Sequence, residues 1–172
     1  MSRGPLPLYV EPFRLCDAGA RLSGKLAAAR LERISEFAVG TADDADVELH
    51  FSRDAEGRNR INGTVRTVVH TTCERCLEPL DLDVDAVVAL MAVAVGGKVP
   101  ETVEDVNIVE VEDERLSLVA LVEEEVLLAL PPFPVHGSCD MVAYDRGEER
   151  VVVKEQPKAN PFDVLAKLKQ KD

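Results

Sequence analysis

The chain contains no tryptophan, and five phenylalanines and two tyrosines bring aromatics to only 4% of its 172 residues. So little ring surface argues against a platform that stacks successive bases of single-stranded nucleic acid. Four cysteines are far fewer than a disulfide scaffold of this length would carry. No apolar run approaches the roughly 18 residues that a membrane-spanning helix needs. No basic-then-apolar leader follows Met1, so a cytosolic protein without a membrane partner is expected. A Gly-rich phosphate loop, a Gly-x-Ser-x-Gly elbow and a His-Glu-x-x-His pair are also missing. With no general base or oxyanion element in view, a protein that is not an enzyme and takes no small-molecule substrate is expected.

Positive charge is scarce as well. Lys and Arg total 20 against 32 Asp and Glu, a formal net charge of -12. A field of that sign repels naked phosphate backbones and favours basic partners. Its distribution is uneven. Residues 101–153 hold 14 acidic and 3 basic side chains, whereas residues 154–172 hold 3 acidic and 5 basic. A surplus of carboxylates serves solubility, and it can also form a face that receives a basic protein.

What the chain does have is patterning. The length suits one domain. Residues 5–10 suit a short edge strand opened by proline. Leu31, Ile34 and Ala38 share one face of a helix over 28–38, with Gly40 as its stop. Val47, Leu49 and Phe51 alternate with polar residues, the period of a half-buried strand. A turn follows at 54–59, then a strand with Ile61, Gly63, Val65 and Val69 on one face. Leu80, Leu82, Val84, Ala86 and Val88 alternate with Asp81, Asp83 and Asp85, and that strand reaches Val95 before Gly96-Gly97. An acidic loop over 98–106, a short strand over 107–111 and a helix over 117–130 come next. Ser117 would cap that helix, and Leu118, Val119, Val122, Val126 and Leu130 would form its buried stripe. Glu123, Glu124 and Glu125 are consecutive, so at least part of that run faces solvent. Pro131-Pro132 ends the helix. Asn160-Pro161 opens a last short helix carrying Phe162, Leu165 and Leu168. The expected fold is α+β, a mainly antiparallel sheet with two packed helices. Residues 1–153 would form one domain, and 154–172 an extended C-terminal tail with a short docking helix.

The strongest chemical signal is Cys73-Glu74-Arg75-Cys76, at the turn between two predicted strands. Two thiolates two residues apart can both face one tetrahedral Zn²⁺. His136-Gly137-Ser138-Cys139 supplies a second pair. Together Cys73, Cys76, His136 and Cys139 would make a closed Cys₃His site for a structural zinc, if the fold brings them together. The alternative is reduced, unligated thiols packed near the sheet. A redox pair would open a helix that lowers the thiol pKa, whereas strand alternation follows this one. Cys16 reads as an isolated thiol, and His50 and His70 as structural sheet-face residues.

Three stretches then fall in a familiar order. They are the turn Cys73-Glu-Arg-Cys-Leu-Glu-Pro79, the run EEEVLLALPPFPVH over 123–136, and the ending NPFDVLAKLK over 160–169. Together they resemble the YceD family, the bacterial large ribosomal RNA subunit accumulation proteins, which also has chloroplast members. The resemblance covers most of the chain. It implies a role in accumulating 23S ribosomal RNA and in large-subunit assembly, with no known catalytic activity. It also implies that Cys73 and Cys76 are the family's usual signature and that the Pro-x-His segment ends at a matching His136. An acidic protein serving an RNA is most simply reconciled through an intermediary. The acidic region, including Glu123 and Glu124, is expected to engage a basic ribosomal protein or assembly factor. Asn160, Pro161 and Phe162 of the tail would help dock the complex, and direct contact with ribosomal RNA stays open. The competing class is a zinc- or thiol-dependent enzyme acting on RNA or protein; a small adaptor without a ribosome link is the third.

Overall fold

The computed structural model describes residues 4–38, 41–97 and 107–141. Six strands form one sheet. In chain order its members are β1 (Gly4–Pro5), β3 (Arg21–Leu26), β4 (Ala45–Arg53), β5 (Asn59–Thr72), β6 (Pro79–Ala94) and β7 (Asn107–Val111), and this is also their spatial order. The pairs β3–β4, β4–β5 and β5–β6 are antiparallel, while β1–β3 and β6–β7 are parallel. A separate antiparallel ribbon joins β2 (Tyr9–Val10) to β8 (Leu116–Ser117). Three helices complete the described residues: α1 (Pro12–Asp17), α2 (Glu32–Ala38) and α3 (Leu118–Ala129). The fold is α+β with a mainly antiparallel sheet, as the alternation predicts. No helix among the described residues is long and apolar enough to cross a membrane.

The period-2 pattern builds the core directly. Register places Val47 opposite Val65 and Val65 opposite Ala86, and likewise aligns Phe51, Ile61 and Leu90. Cross-strand neighbours share a face, and all six side chains are buried there. The helices cover this face. Leu31 and Ile34 are fully buried from the α2 side, and Leu118, Val122 and Val126 from α3. The other face carries the charged rung Lys25–Asp46–Arg66–Asp85, with ion pairs of 3.5 Å between Lys25 and Asp46 and 3.2 Å between Arg66 and Asp85.

Local chemistry sets the boundaries. Asp54 Oδ1 accepts from the backbone N–H groups of Glu56 and Arg58, closing the β4–β5 turn, with Gly57 at φ +75°. Ser117 Oγ accepts from the backbone N–H of Ala120 at 3.2 Å and caps α3 as expected. Leu130 is extended (φ -70°, ψ 140°), the conformation that the following proline imposes.

Four details differ from the expectation. The strand over 5–10 is two separate two-residue pieces, β1 and β2, because each pairs with a different partner. The helix over 28–38 starts later. Ala28–Arg30 is a 3₁₀ turn whose first N–H is taken by Asp44 Oδ1 at 2.9 Å, and α2 opens at Glu32. The buried face of α3 is wider than one stripe and includes Leu121, Glu123 and Glu125. Finally, α1 and β3 form where no periodicity predicts them. The acidic loop over 98–106, Gly40, and the C-terminal helix with Asn160, Pro161 and Phe162 lie outside the described residues.

Glu123 has a structural task. It is buried, and its Oε1 accepts from the backbone N–H of Arg33 at 2.7 Å, in the first turn of α2. A carboxylate there satisfies an orphan donor and complements the helix dipole. Glu124, one residue on, is exposed and pairs with the Arg33 guanidinium at 3.0 Å. Glu123→Ala is expected to cost about 1–2 kcal/mol in denaturant unfolding. Glu124→Ala should cost less than about 0.5 kcal/mol, as exposed pairs do.

A candidate metal centre at the tip of the long hairpin

Strands β5 and β6 pair continuously from Asn59–Ala92 to Thr72–Pro79, the longest ladder among the described residues. Residues 73–78 close it, so the Cys-x-x-Cys pair sits at its tip. The Leu77 N–H donates to the Cys73 carbonyl and the Cys73 N–H to the Glu78 carbonyl, both at 2.9 Å. Leu77 takes φ +63°, a left-handed conformation that turns the chain sharply after the second cysteine. The second pair comes from the segment that follows α3. After Pro131-Pro132 stops α3, the Pro134 carbonyl accepts from the Glu74 N–H at 2.9 Å, and His136 Nε2 is 3.1 Å from the Pro79 carbonyl. These two bonds fasten residues 134–136 to the hairpin.

The result brings together all four residues singled out by spacing. Cys73 Sγ lies 3.7 Å from Cys139 Sγ, and Cys76 Sγ lies 3.3 Å from His136 Nδ1. All four ligand atoms are within 4.8 Å of one another, and among the described residues no other group of this kind occurs. The 3.7 Å separation is far from the disulfide length of about 2.05 Å. It is close to the edge of about 3.8 Å between two sulfurs each ~2.3 Å from a tetrahedral ion. The donor set, three sulfurs and one imidazole nitrogen, matches the borderline-soft preference of zinc. His136 points Nδ1 into the cluster while Nε2 is held by the Pro79 carbonyl, the outer hydrogen bond that fixes a ligating imidazole. The cluster can hold a metal ion.

Electrostatics already favour a ligand at Cys73. Burial pushes its thiol up, but the backbone N–H groups of Cys76, His136 and Arg75 outweigh it and bring the pKa down to about 5. The Cys139 thiol is pushed up by burial and by its bonds to Cys73 and Cys76. One sulfur is thus ready as thiolate, while the Cys139 thiol beside it resists losing its proton. Arg75 steadies the centre twice, through its N–H on Cys73 Sγ at 3.4 Å and its guanidinium on the Cys139 carbonyl at 3.4 Å. Nothing in the sequence marks Arg75 beyond its place inside the motif, and the carbonyls of Pro79 and Pro134 have no side-chain signal.

The remaining candidates go elsewhere. Cys16 is buried in α1, where its Sγ is 3.5 Å from the Arg60 carbonyl, and burial pushes its thiol up. His70 stands on the outer face between two carboxylates, with Nδ1 2.8 Å from Asp81 and Nε2 3.3 Å from Asp43. Their hydrogen bonds raise its pKa, Asp81 first. A raised folded-state pKa stabilises the fold fully below the unfolded value of about 6.5, and that contribution is lost as pH rises through the raised value. Wild type should therefore gain stability over His70→Gln as pH falls from 8 to 6, as paired unfolding curves would record.

Comparison with known proteins extends the picture. Residues 61–169 match the family described as "Large ribosomal RNA subunit accumulation protein YceD". That span includes all four residues of the cluster. A protein of Haemophilus influenzae bearing the same description is 35% identical over 178 residues, covering 99% of this chain and 100% of the relative. No solved structure matches.

Proposed function

The chain belongs to the YceD family, and from that premise we propose that it is a cytoplasmic, non-enzymatic factor supporting accumulation of large-subunit ribosomal RNA and assembly of that subunit. It acts by binding a basic ribosomal protein or assembly factor. The observation that carries this reading is the end-to-end match to a relative described by that role. The charge of -12 supports a protein intermediary.

In this reading the hairpin-tip cluster holds a structural Zn²⁺. Cys73, Cys76, His136 and Cys139 would be its ligands, and the ion would supply cross-linking between the hairpin and the segment after α3. Four protein ligands close a tetrahedral site, whereas catalytic zinc keeps a position open. Cys73 is also fully buried, which separates it from the accessible thiolates that carry thiol chemistry. Both points weigh against the zinc- or thiol-dependent enzyme.

The test is affinity capture at low salt from cells depleted of the protein and complemented with a tagged copy, with and without nuclease. A basic ribosomal or assembly protein should remain after nuclease treatment, and large-subunit precursors should be depleted in the uncomplemented cells. Recovery of ribosomal RNA with no basic protein would overturn the intermediary.

A further inference from the structure

The carboxylates of this chain are not equally engaged. On the outer sheet face, Asp46 meets Lys25, Asp85 meets Arg66, and Asp43 and Asp81 flank His70. On the other side of β6, a groove of about 580 Å³ runs between β7 and α3. Ile108, Leu116, Leu121 and Leu128 contribute its apolar lining, and Glu110, Glu112, Glu124 and Glu125 its acidic part. Two arginines also line the groove: Arg33 holds Glu124, and the Arg115 guanidinium lies 5.5 Å from the centre of the Tyr9 ring, so the acids outnumber the bases four to two. Glu110, Glu112 and Glu125 have neither a hydrogen bond nor an ion pair to their carboxylates among the described residues.

Glu125 is the telling residue. Only 8% of it is exposed, yet no donor meets it among the described residues. Burial, with Glu124 alongside, pushes its pKa up. Neither of its carboxylate oxygens is a fully buried, unpartnered atom, so Glu125 is buried along its stem and keeps its acid open to the groove, where a donor from outside can reach it. Beside it, Leu128 is 66% exposed and Ile108 39%. Apolar side chains next to unpaired acids call for a ligand with both apolar and cationic groups. Nucleic acid has the wrong charge. A lone divalent ion is disfavoured, since no acidic group of metal-binding closeness occurs among the described residues.

We propose that the groove between β7 and α3 is the docking site for a segment of a basic protein in which Lys or Arg stands beside apolar side chains. The apolar residues rest on Leu128 and Ile108, and the cations meet Glu112 and Glu125. This rests on the reading above that the partner is a basic protein, and it names the surface.

The full-length protein is titrated with a fluorescein-labelled 12-residue peptide of Arg, Leu and Gly, followed by fluorescence anisotropy. Two control peptides replace every Leu by Ser or every Arg by Glu. Wild type should bind the first peptide at least tenfold more tightly than either control, and added salt should weaken it. The double variant Glu112→Lys with Leu128→Lys changes two exposed residues and should weaken binding at least tenfold while its thermal unfolding stays that of wild type. Asp83→Lys with Asp85→Lys, on the outer face, should stay within threefold. Equal binding by the groove variant, no binding by wild type, or a preference for a 12-nucleotide single-stranded RNA would overturn the site. Repeating the cellular capture separates the two readings. A basic partner retained by the groove variant sinks only the groove, whereas no basic partner in wild type sinks the proposed function.

Discussion

Cys73→Ser is expected to lower bound zinc from about one per chain to near zero and to reduce the melting temperature by roughly 10 °C or more. Binding energy at a structural site is folding energy, and a few kilocalories per mole correspond to shifts of this size in a chain of about 170 residues. Cys73 touches three parts of the centre. Its Sγ faces Cys139 and accepts from the N–H groups of Arg75 and His136. A serine hydroxyl is a far poorer ligand than a thiolate and would leave those donors weakly met. Elemental analysis and calorimetry on the same sample read both effects. Cys16→Ala provides the control: its thiol lies in α1 beside the Arg60 carbonyl, so the zinc content should be unchanged. A Cys73→Ser protein that keeps its metal, or loses it with no change in melting, would sink the structural-zinc reading. Lost turnover with an intact fold would instead favour the enzyme.

The second large effect is expected at Gly63. It lies in the middle of β5, opposite Leu49 of β4 and Val88 of β6. A Cβ there would overlap the backbone carbonyl of Glu48. Backbone cannot step aside as a flexible side chain can, so β4 and β5 must separate locally and lose ladder bonds. Gly63→Ala should cost about 3 kcal/mol or more by denaturant unfolding. Gly137→Ala is the matched comparison. Nothing lies within 4 Å of its added Cβ, so the change should stay within about 0.5 kcal/mol, even though residue 137 adjoins His136. Equal costs at the two positions would show that crowding between the strands is not what requires Gly63.

These two sites also mark what was legible beforehand. The alternation around Val47–Phe51, Ile61–Val69 and Leu80–Val88 was readable because each strand has one buried and one wet face. Ser117 was readable as a cap because a hydroxyl precedes an apolar run and Pro131-Pro132 ends it. In contrast, the stretch from Pro12 to Leu26 becomes a helix and a strand with no periodic signal. Short elements at a sheet edge are held by contacts from elsewhere, which local sequence does not encode. The same holds for β7. Its residues suggested a strand, but its parallel pairing with β6 depends on tertiary placement. The four ligand candidates were readable as two half-motifs, and their convergence was not. It depends on Pro134 and Pro79 offering carbonyls to Glu74 and His136, and a carbonyl is common to every residue. Burial of Glu123 was hidden for a similar reason: the donor it meets is a main-chain group ninety positions away.

The separation between Cys73 and Cys139 has a temporal consequence. They stand 66 positions apart, and the intervening chain contains β6, β7, β8 and α3. A nascent chain that has exposed only the hairpin owns just half of the ligands. The last sulfur can take its place only after the intervening polypeptide has emerged and packed. Gathering so distant a set exacts a loop-closure entropy that a compact body has already met and an unravelled one has not. If the tip takes up an ion, as proposed, that uptake would be a late event that certifies the maturity of everything threaded between its two halves.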